Sequence, residues 1–124
     1  EKVLLVGHLG KFVKLAGGVM DTHSRLADCR MEILAAHAAL AGGEASLIGQ
    51  IMEAATTDGA LELLQKAGLW EKVRQTLLQK IQYHLERRAA GNFSVGAIIY
   101  NNIQGFLGET SQVKGLLGLM EEKE

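Results

Sequence analysis

The chain has 124 residues, 13 basic against 14 acidic side chains for a net charge of −1, and is 48% hydrophobic and 22% charged. This is the balance of one globular domain with a real core, and it gives no electrostatic footing for nucleic acid or an acidic membrane surface. One cysteine excludes an internal disulfide or a Cys-rich zinc module, no apolar run reaches the roughly 18 residues of a membrane helix, and no signal peptide is legible, so a reducing cytoplasm is expected.

Val3 to Val6 is an unbroken apolar run rich in β-branched residues, ending at Gly7. It predicts a strand buried on both faces, as in parallel sheets. Gly10 to Ala16 predicts a short helix with Phe12, Leu15 and Ala16 inward and Lys11 and Lys14 outward, stopped by Gly17-Gly18. Val19 to His23 has no periodicity and reads as a loop. Ser24 is the expected N-cap of a long helix to about Ala41, with Leu26, Cys29, Ile33 and Leu34 on its apolar face. Asp28 and Glu32 then share another face of that helix, four residues apart. Residues 45 to 55 predict the next helix, and Thr57-Asp58-Gly59 starts another that ends at Gly68. Leu69 to Ala89 is the longest, with Trp70, Val73, Leu77, Ile81 and Leu85 in one stripe.

After that the period changes. Phe93 to Tyr100 is compact and nearly uncharged and predicts a second buried strand. Asn101-Asn102 reads as a turn, Ile103 to Leu107 as an edge strand, and Thr110 or Ser111 as the cap of a last helix carrying Val113, Leu116, Leu117 and Met120. The expected architecture is helix-rich α/β: a small, mostly parallel sheet covered by several helices. An all-helical bundle is the alternative, because short apolar runs are ambiguous by period alone. The chain reads as one domain over residues 1–124. Its start close to the first strand, without a methionine, suggests a piece of a longer protein.

The chemistry concentrates in residues 7 to 32. Gly7-His8-Leu9-Gly10-Lys11 joins the first strand to the first helix. Two glycines permit a tight turn, and the free N–H groups of the helix start favour an anion. In open parallel sheets ligands lie at the carboxyl ends of strands, where this turn falls. The spacing matches neither the P-loop nor the dinucleotide fingerprint, so a tight turn with no ligand is the competing reading. Asp21-Thr22-His23-Ser24-Arg25 follows: a histidine able to exchange a proton near neutrality beside an arginine able to grip a carboxylate. No metal-ligand spacing links His8, His23, His37 and His84, and no metal site is expected. His37 and His84 read as partly buried structural residues, and Cys29 as a small core residue.

The block GHLGKFVKLAGGVMDTHSRLADCRMEILAAHAALAGG, residues 7 to 43, resembles the cobalt-precorrin-5B C(1)-methyltransferases of anaerobic cobalamin synthesis, the CbiD family. The likeness runs through GHxGKxxKxAxG, then THS, then ADxRxE, and continues less distinctively to about residue 111. It implies transfer of a methyl group from S-adenosylmethionine to ring carbon 1 of a cobalt-precorrin, a macrocycle edged with acetate and propionate arms. It also implies a partner: the N-terminal domain of the same enzyme, absent from this chain. The motif positions are Gly7, His8, Gly10, Lys11, Lys14, Gly17, Thr22, His23, Ser24, Asp28, Arg30 and Glu32. Of these, the resemblance implies His23, Asp28 and Glu32 near the reaction. It implies Gly7, His8, Gly10, Lys11, Lys14, Thr22, Ser24 and Arg30, with Arg25 beside them, in contact with substrate or methyl donor. The alternatives are a non-catalytic domain that binds an anion or tetrapyrrole, and a helical scaffold with no small-molecule site.

Overall fold

The computed structural model describes residues 1–20 and 28–122, with residues 118–122 in backbone only. Its described elements are β1 (Lys2–His8), α1 (Leu9–Ala16), α2 (Arg30–Leu40), α3 (Ala45–Met52), α4 (Thr57–Lys66), α5 (Trp70–Ala89), β2 (Ser94–Asn101), β3 (Gly105–Glu109) and α6 (Val113–Glu122). The three strands form one sheet in the order β1-β2-β3. β1 pairs parallel to β2 with Val6 opposite Ile98 and His8 opposite Tyr100. β2 pairs antiparallel to β3, with a bulge between Ile99 and Tyr100. The α/β expectation holds: the first and second strands lie side by side although five described helices separate them in sequence. The pairing is mixed, because the short Asn101–Gln104 connection returns the chain beside β2 as a hairpin. In that hairpin Asn101 Oδ1 accepts from the Gln104 N–H at 2.8 Å.

One sheet face carries the core. Val95, Ala97 and Ile99 of β2 are buried there against α1 and α5, whose Val13, Val73, Leu77 and Ile81 are equally inaccessible. A second layer follows from α2 to α4, where Leu34, Ile51, Leu61 and Leu64 complete the same cluster. On the opposite face α6 packs over β2 at Gly96. Gly96 permits this approach: a Cβ on it would stand 3.0 Å from Val113 Cγ2 and 3.2 Å from Leu116 Cδ1. Thr110, one of the two residues expected to cap α6, accepts the Ala97 N–H on its hydroxyl at 2.9 Å and so ties the helix start to the sheet.

Five local expectations are corrected. β1 is an edge strand, not one buried on both faces, and Val6 is 59% exposed. Lys14, placed outward by the sequence reading, is 1% exposed. The helix read as running from Ser24 begins only at Arg30; Ser24 itself lies outside the described residues. Cys29 is therefore not a helical core position but the half-buried residue before the helix, with φ of 52°. Asp28 precedes it, so Asp28 and Glu32 do not share a helix face.

His37 and His84 are buried and half-buried, as their apolar neighbourhoods suggest. His37 is buried on α2 with Nδ1 2.7 Å from Thr76 Oγ1. The same hydroxyl reaches the Val73 carbonyl at 3.1 Å, and with its hydrogen directed there His37 Nδ1 is the donor of the pair. Desolvation, helped by the charge of Lys80, lowers its pKa below the ordinary histidine value. His84 packs beside Gly18, and burial again leads the lowering of its pKa.

Candidate functional site

β1 ends in His8, and the chain turns there directly into α1. The extended backbone of His8 (φ −71°, ψ 141°) makes it the N-cap, and its ring Nδ1 accepts from the Gly10 N–H at 2.9 Å. An N–H can only donate, so Nδ1 holds a lone pair and the neutral ring carries its hydrogen on Nε2. That second nitrogen is a hydrogen-bond donor. The ring stands edge-on to Tyr100 of β2, centroids 5.7 Å apart and planes at 77°.

Gly10 is the point of closest approach between three elements. A Cβ there would lie 3.1 Å from His8 Nδ1, 3.2 Å from Thr57 Oγ1 and 3.5 Å from Arg30 Nη1. Arg30, at the start of α2, donates from Nη1 to the Gly10 carbonyl at 3.2 Å. Its Nε and Nη2 grip Asp28 at 2.5 and 3.3 Å. This two-toothed hydrogen bonding lowers the pKa of the Asp28 carboxyl, and the charge of nearby Lys14 adds to the effect.

The third contributor is the amino end of α4. Thr56 caps it, accepting the Gly59 N–H on its hydroxyl at 3.0 Å. Asp58 in the first turn accepts from Asn101 Nδ2 at 3.2 Å, which ties this helix to the carboxyl end of β2. The result is an open cleft of about 320 Å³ lined by His8, Gly10, Lys11, Arg30, Ala55, Thr56, Thr57 and Asp58. Two helix amino ends face it, and the N–H groups and dipoles there favour negative charge. Lys11 and Arg30 add positive charge; Asp58 supplies one carboxylate. Such a set suits a zwitterion: a carboxylate toward Lys11, Arg30 and the helix ends, a cation toward Asp58.

Of the residues singled out in the sequence, His8, Gly10, Lys11 and Arg30 converge here. Gly7 lies one residue back in β1, where a Cβ would run into the Phe12 ring. Lys14 points away, buried, its charge acting on Asp28. Gly17 ends α1 against Ile33, and Glu32 is exposed on α2 outside the cleft lining. Thr22, His23, Ser24 and Arg25 lie outside the described residues. Sequence reasoning missed Thr56, Thr57, Asp58 and Asn101 as site residues. The Thr-Asp-Gly signature did mark a helix start, but nothing local says that this start faces the first one. Among the described residues no group of three or more His, Cys, Asp or Glu side chains is placed to hold a metal ion.

Residues 21–111 match the family of the CbiD C-terminal domain. Over 123 residues, 99% of this chain and 32% of the relative, it is 40% identical to a cobalt-precorrin-5B C(1)-methyltransferase of Alkaliphilus metalliredigens. It is 43% identical over 103 residues to the enzyme of that name from Ruminiclostridium cellulolyticum, covering 83% of this chain and 27% of the relative. Against the one from Methanocaldococcus jannaschii it is 37% identical over 91 residues, covering 73% and 25%. No solved structure gives a significant match. The chain belongs to the CbiD C-terminal domain family. It spans about a quarter to a third of the length of the curated relatives it matches. No described helix is long and apolar enough to cross a membrane.

Proposed function

We propose that this chain is the C-terminal domain of a cytoplasmic enzyme that methylates ring carbon 1 of a cobalt-precorrin in anaerobic cobalamin synthesis. In this reading the missing N-terminal domain completes the active site, and the cleft between α1 and α4 receives a carboxylate. The observation that carries it is the convergence of His8, Lys11 and Arg30 with two helix amino ends at the carboxyl ends of paired parallel strands. Three of those residues come from the stretch whose motifs resemble the family.

S-adenosylmethionine supplies the methyl group when bound. The charges present fit its amino-acid end: Lys11 and Arg30 for the carboxylate, Asp58 for the ammonium. They equally fit an acetate or propionate arm of the ring. Positioning is the main requirement of such a transfer. Asp28 serves it indirectly, holding the Arg30 guanidinium at the cleft. Thr22, Ser24 and Arg25 remain candidates for contact with substrate or donor and His23 the candidate for proton transfer, while Gly7 and Lys14 support α1 behind the cleft and Glu32 lies outside it.

The test is calorimetric titration of a full-length enzyme of the family carrying this domain, with S-adenosylhomocysteine and separately with a carboxylated cobalt corrin. A charged hydrogen bond contributes on the order of 1.5–3 kcal/mol, so Lys11→Ala is expected to weaken one of the two by about tenfold or more. Loss confined to S-adenosylhomocysteine assigns the cleft to the donor; loss confined to the corrin assigns it to a ring arm. Unchanged binding of both overturns the site.

A further inference from the structure

The start of α4 carries a hydroxyl that the fold leaves unused. Thr57 is only 3% exposed, yet its Oγ1 has no hydrogen-bond partner among the described residues. Its neighbour Thr56 does the capping, so the helix end does not need it. Nor is the oxygen sealed in the core: among the described residues the one enclosed side-chain polar atom without a partner is Gln82 Oε1. Thr57 Oγ1 therefore opens on the cleft that the residue lines. A polar group this buried and unpaired is costly, and the cost is recovered when a ligand supplies the missing bond.

The surroundings say what that ligand must offer. The Thr57 and Asp58 N–H groups have no carbonyl of their own helix to bond, since the two Thr56 oxygens take those of Gly59 and Ala60. Thr57 Oγ1 and Arg30 Nη1 both lie within 3.5 Å of the place where a Gly10 side chain would begin, so glycine there lets hydroxyl and guanidinium share one corner of the cleft. Asp58 is held through Oδ1 by Asn101, itself 2% exposed. Its Oδ2 has no partner among the described residues. The cleft thus presents donors at Lys11, Arg30 and two amides, one carboxylate oxygen that only accepts, and a hydroxyl beside both kinds.

We propose that Thr57 is a specificity-determining residue of this cleft, and that the group it selects is the α-amino acid end of the methyl donor. The inference rests on the function proposed above and goes further by choosing between the two ligands that charge leaves open. A carboxylate arm of the ring brings acceptors only, and it leaves Asp58 Oδ2 facing another acceptor. An α-amino acid carries carboxylate and ammonium on one carbon. Its carboxylate takes the amides, Arg30 and the Thr57 hydroxyl, and its ammonium donates to Asp58 Oδ2.

The test uses a full-length enzyme of the family carrying this domain. It is titrated by calorimetry with S-adenosylhomocysteine, with the deamino analogue in which hydrogen replaces the amino group, and with a carboxylated cobalt corrin. The parent is expected to bind S-adenosylhomocysteine about tenfold more tightly than the deamino analogue, as befits a hydrogen bond between charged groups. Asp58→Asn, which keeps an oxygen for Asn101, should erase that difference. Thr57→Val keeps the side-chain shape and removes the hydroxyl; it should weaken S-adenosylhomocysteine about tenfold and leave the corrin unchanged, and Thr57→Ser should restore most of the affinity. Equal affinity of the parent for S-adenosylhomocysteine and its deamino analogue overturns the assignment without any variant having to fold. So does a Thr57→Val protein, folded by its thermal transition, that weakens the corrin alone or neither ligand. In each case the proposed function stands if Lys11→Ala still weakens one of the two ligands, and falls as well if it weakens neither.

Discussion

His8 is the residue on which fold and site meet, and its two jobs are separable. As N-cap it satisfies the Gly10 N–H through Nδ1; as a cleft residue it presents Nε2. An N-cap side chain contributes about 1 kcal/mol, so His8→Ala is expected to lower stability by that amount in urea unfolding. Asparagine is a good cap with no equivalent of Nε2. His8→Asn should therefore restore most of the stability while ligand affinity stays as low as in His8→Ala. Equal affinity in both the parent and the Asn variant would show that only the cap matters. His37 supports a second prediction, on pH. Its pKa is lowered in the folded state, so near and below the free histidine value of about 6.5 the unfolded chain binds more protons. Stability is then complete above that value and falls as the pH drops through it. His37→Gln keeps a donor for Thr76 and removes the titration, and it should flatten the slope of unfolding free energy between about pH 5 and 7. His84, shifted in the same direction, leaves a residual slope. At this scale the sequence was informative about Gly7, His8, Gly10 and Lys11, because a strand-to-helix turn is local. It misjudged Lys14, since a helix face cannot be told inward from outward until its neighbours are known.

Helix ends were legible where glycine made them so. α1, α2 and α4 all finish with the same hydrogen-bond pair: Gly18, Gly42 and Gly68 each bond three residues back, and the residue after each bonds five back. These glycines sit at φ of 81°, 96° and 72°, a conformation that costs a residue with a Cβ about 1–2 kcal/mol. α5 breaks the pattern. Its cap, Ala90, adopts φ of 51° without glycine's freedom. Ala90 is exposed, so Ala90→Gly relieves strain without opening a cavity, against a larger entropy loss for glycine on folding. The net expectation is a gain of about 0.5 kcal/mol, read as a small rise in midpoint temperature; a fall would mean the alanine is not strained. Helix starts were less legible. Ser24 is a good capping residue, yet α2 starts at Arg30, after a left-handed Cys29. No local propensity favours cysteine there. The start coincides with the bond from Arg30 to Gly10, a contact twenty residues away in sequence.

For the molecule as a whole, the two strands were readable from their β-branched composition and the parallel pairing from the helices between them. The packing of α6 on the outer sheet face was not, because it depends on the close approach that Gly96 allows. Site and support lie apart: the cleft at the carboxyl ends of β1 and β2, α6 over Gly96 near the amino end of β2. Gly96 holds α6 down, and its surroundings are fixed side chains, not flexible tips. A Cβ placed 3.0 Å from Val113 and 3.2 Å from Leu116 forces the helix outward, since Val113 and Leu116 are themselves buried. Overpacking of this kind costs about 1–3 kcal/mol, and Gly96→Ala is expected to lower the urea midpoint accordingly. S-adenosylhomocysteine affinity should change little, because Lys11, Arg30 and Asp58 are carried by α1, α2 and α4, while α6 packs chiefly on β1 and β2. A matching loss of affinity would show instead that a shift of α6 travels the length of the sheet, and that the cleft depends on the register of β2.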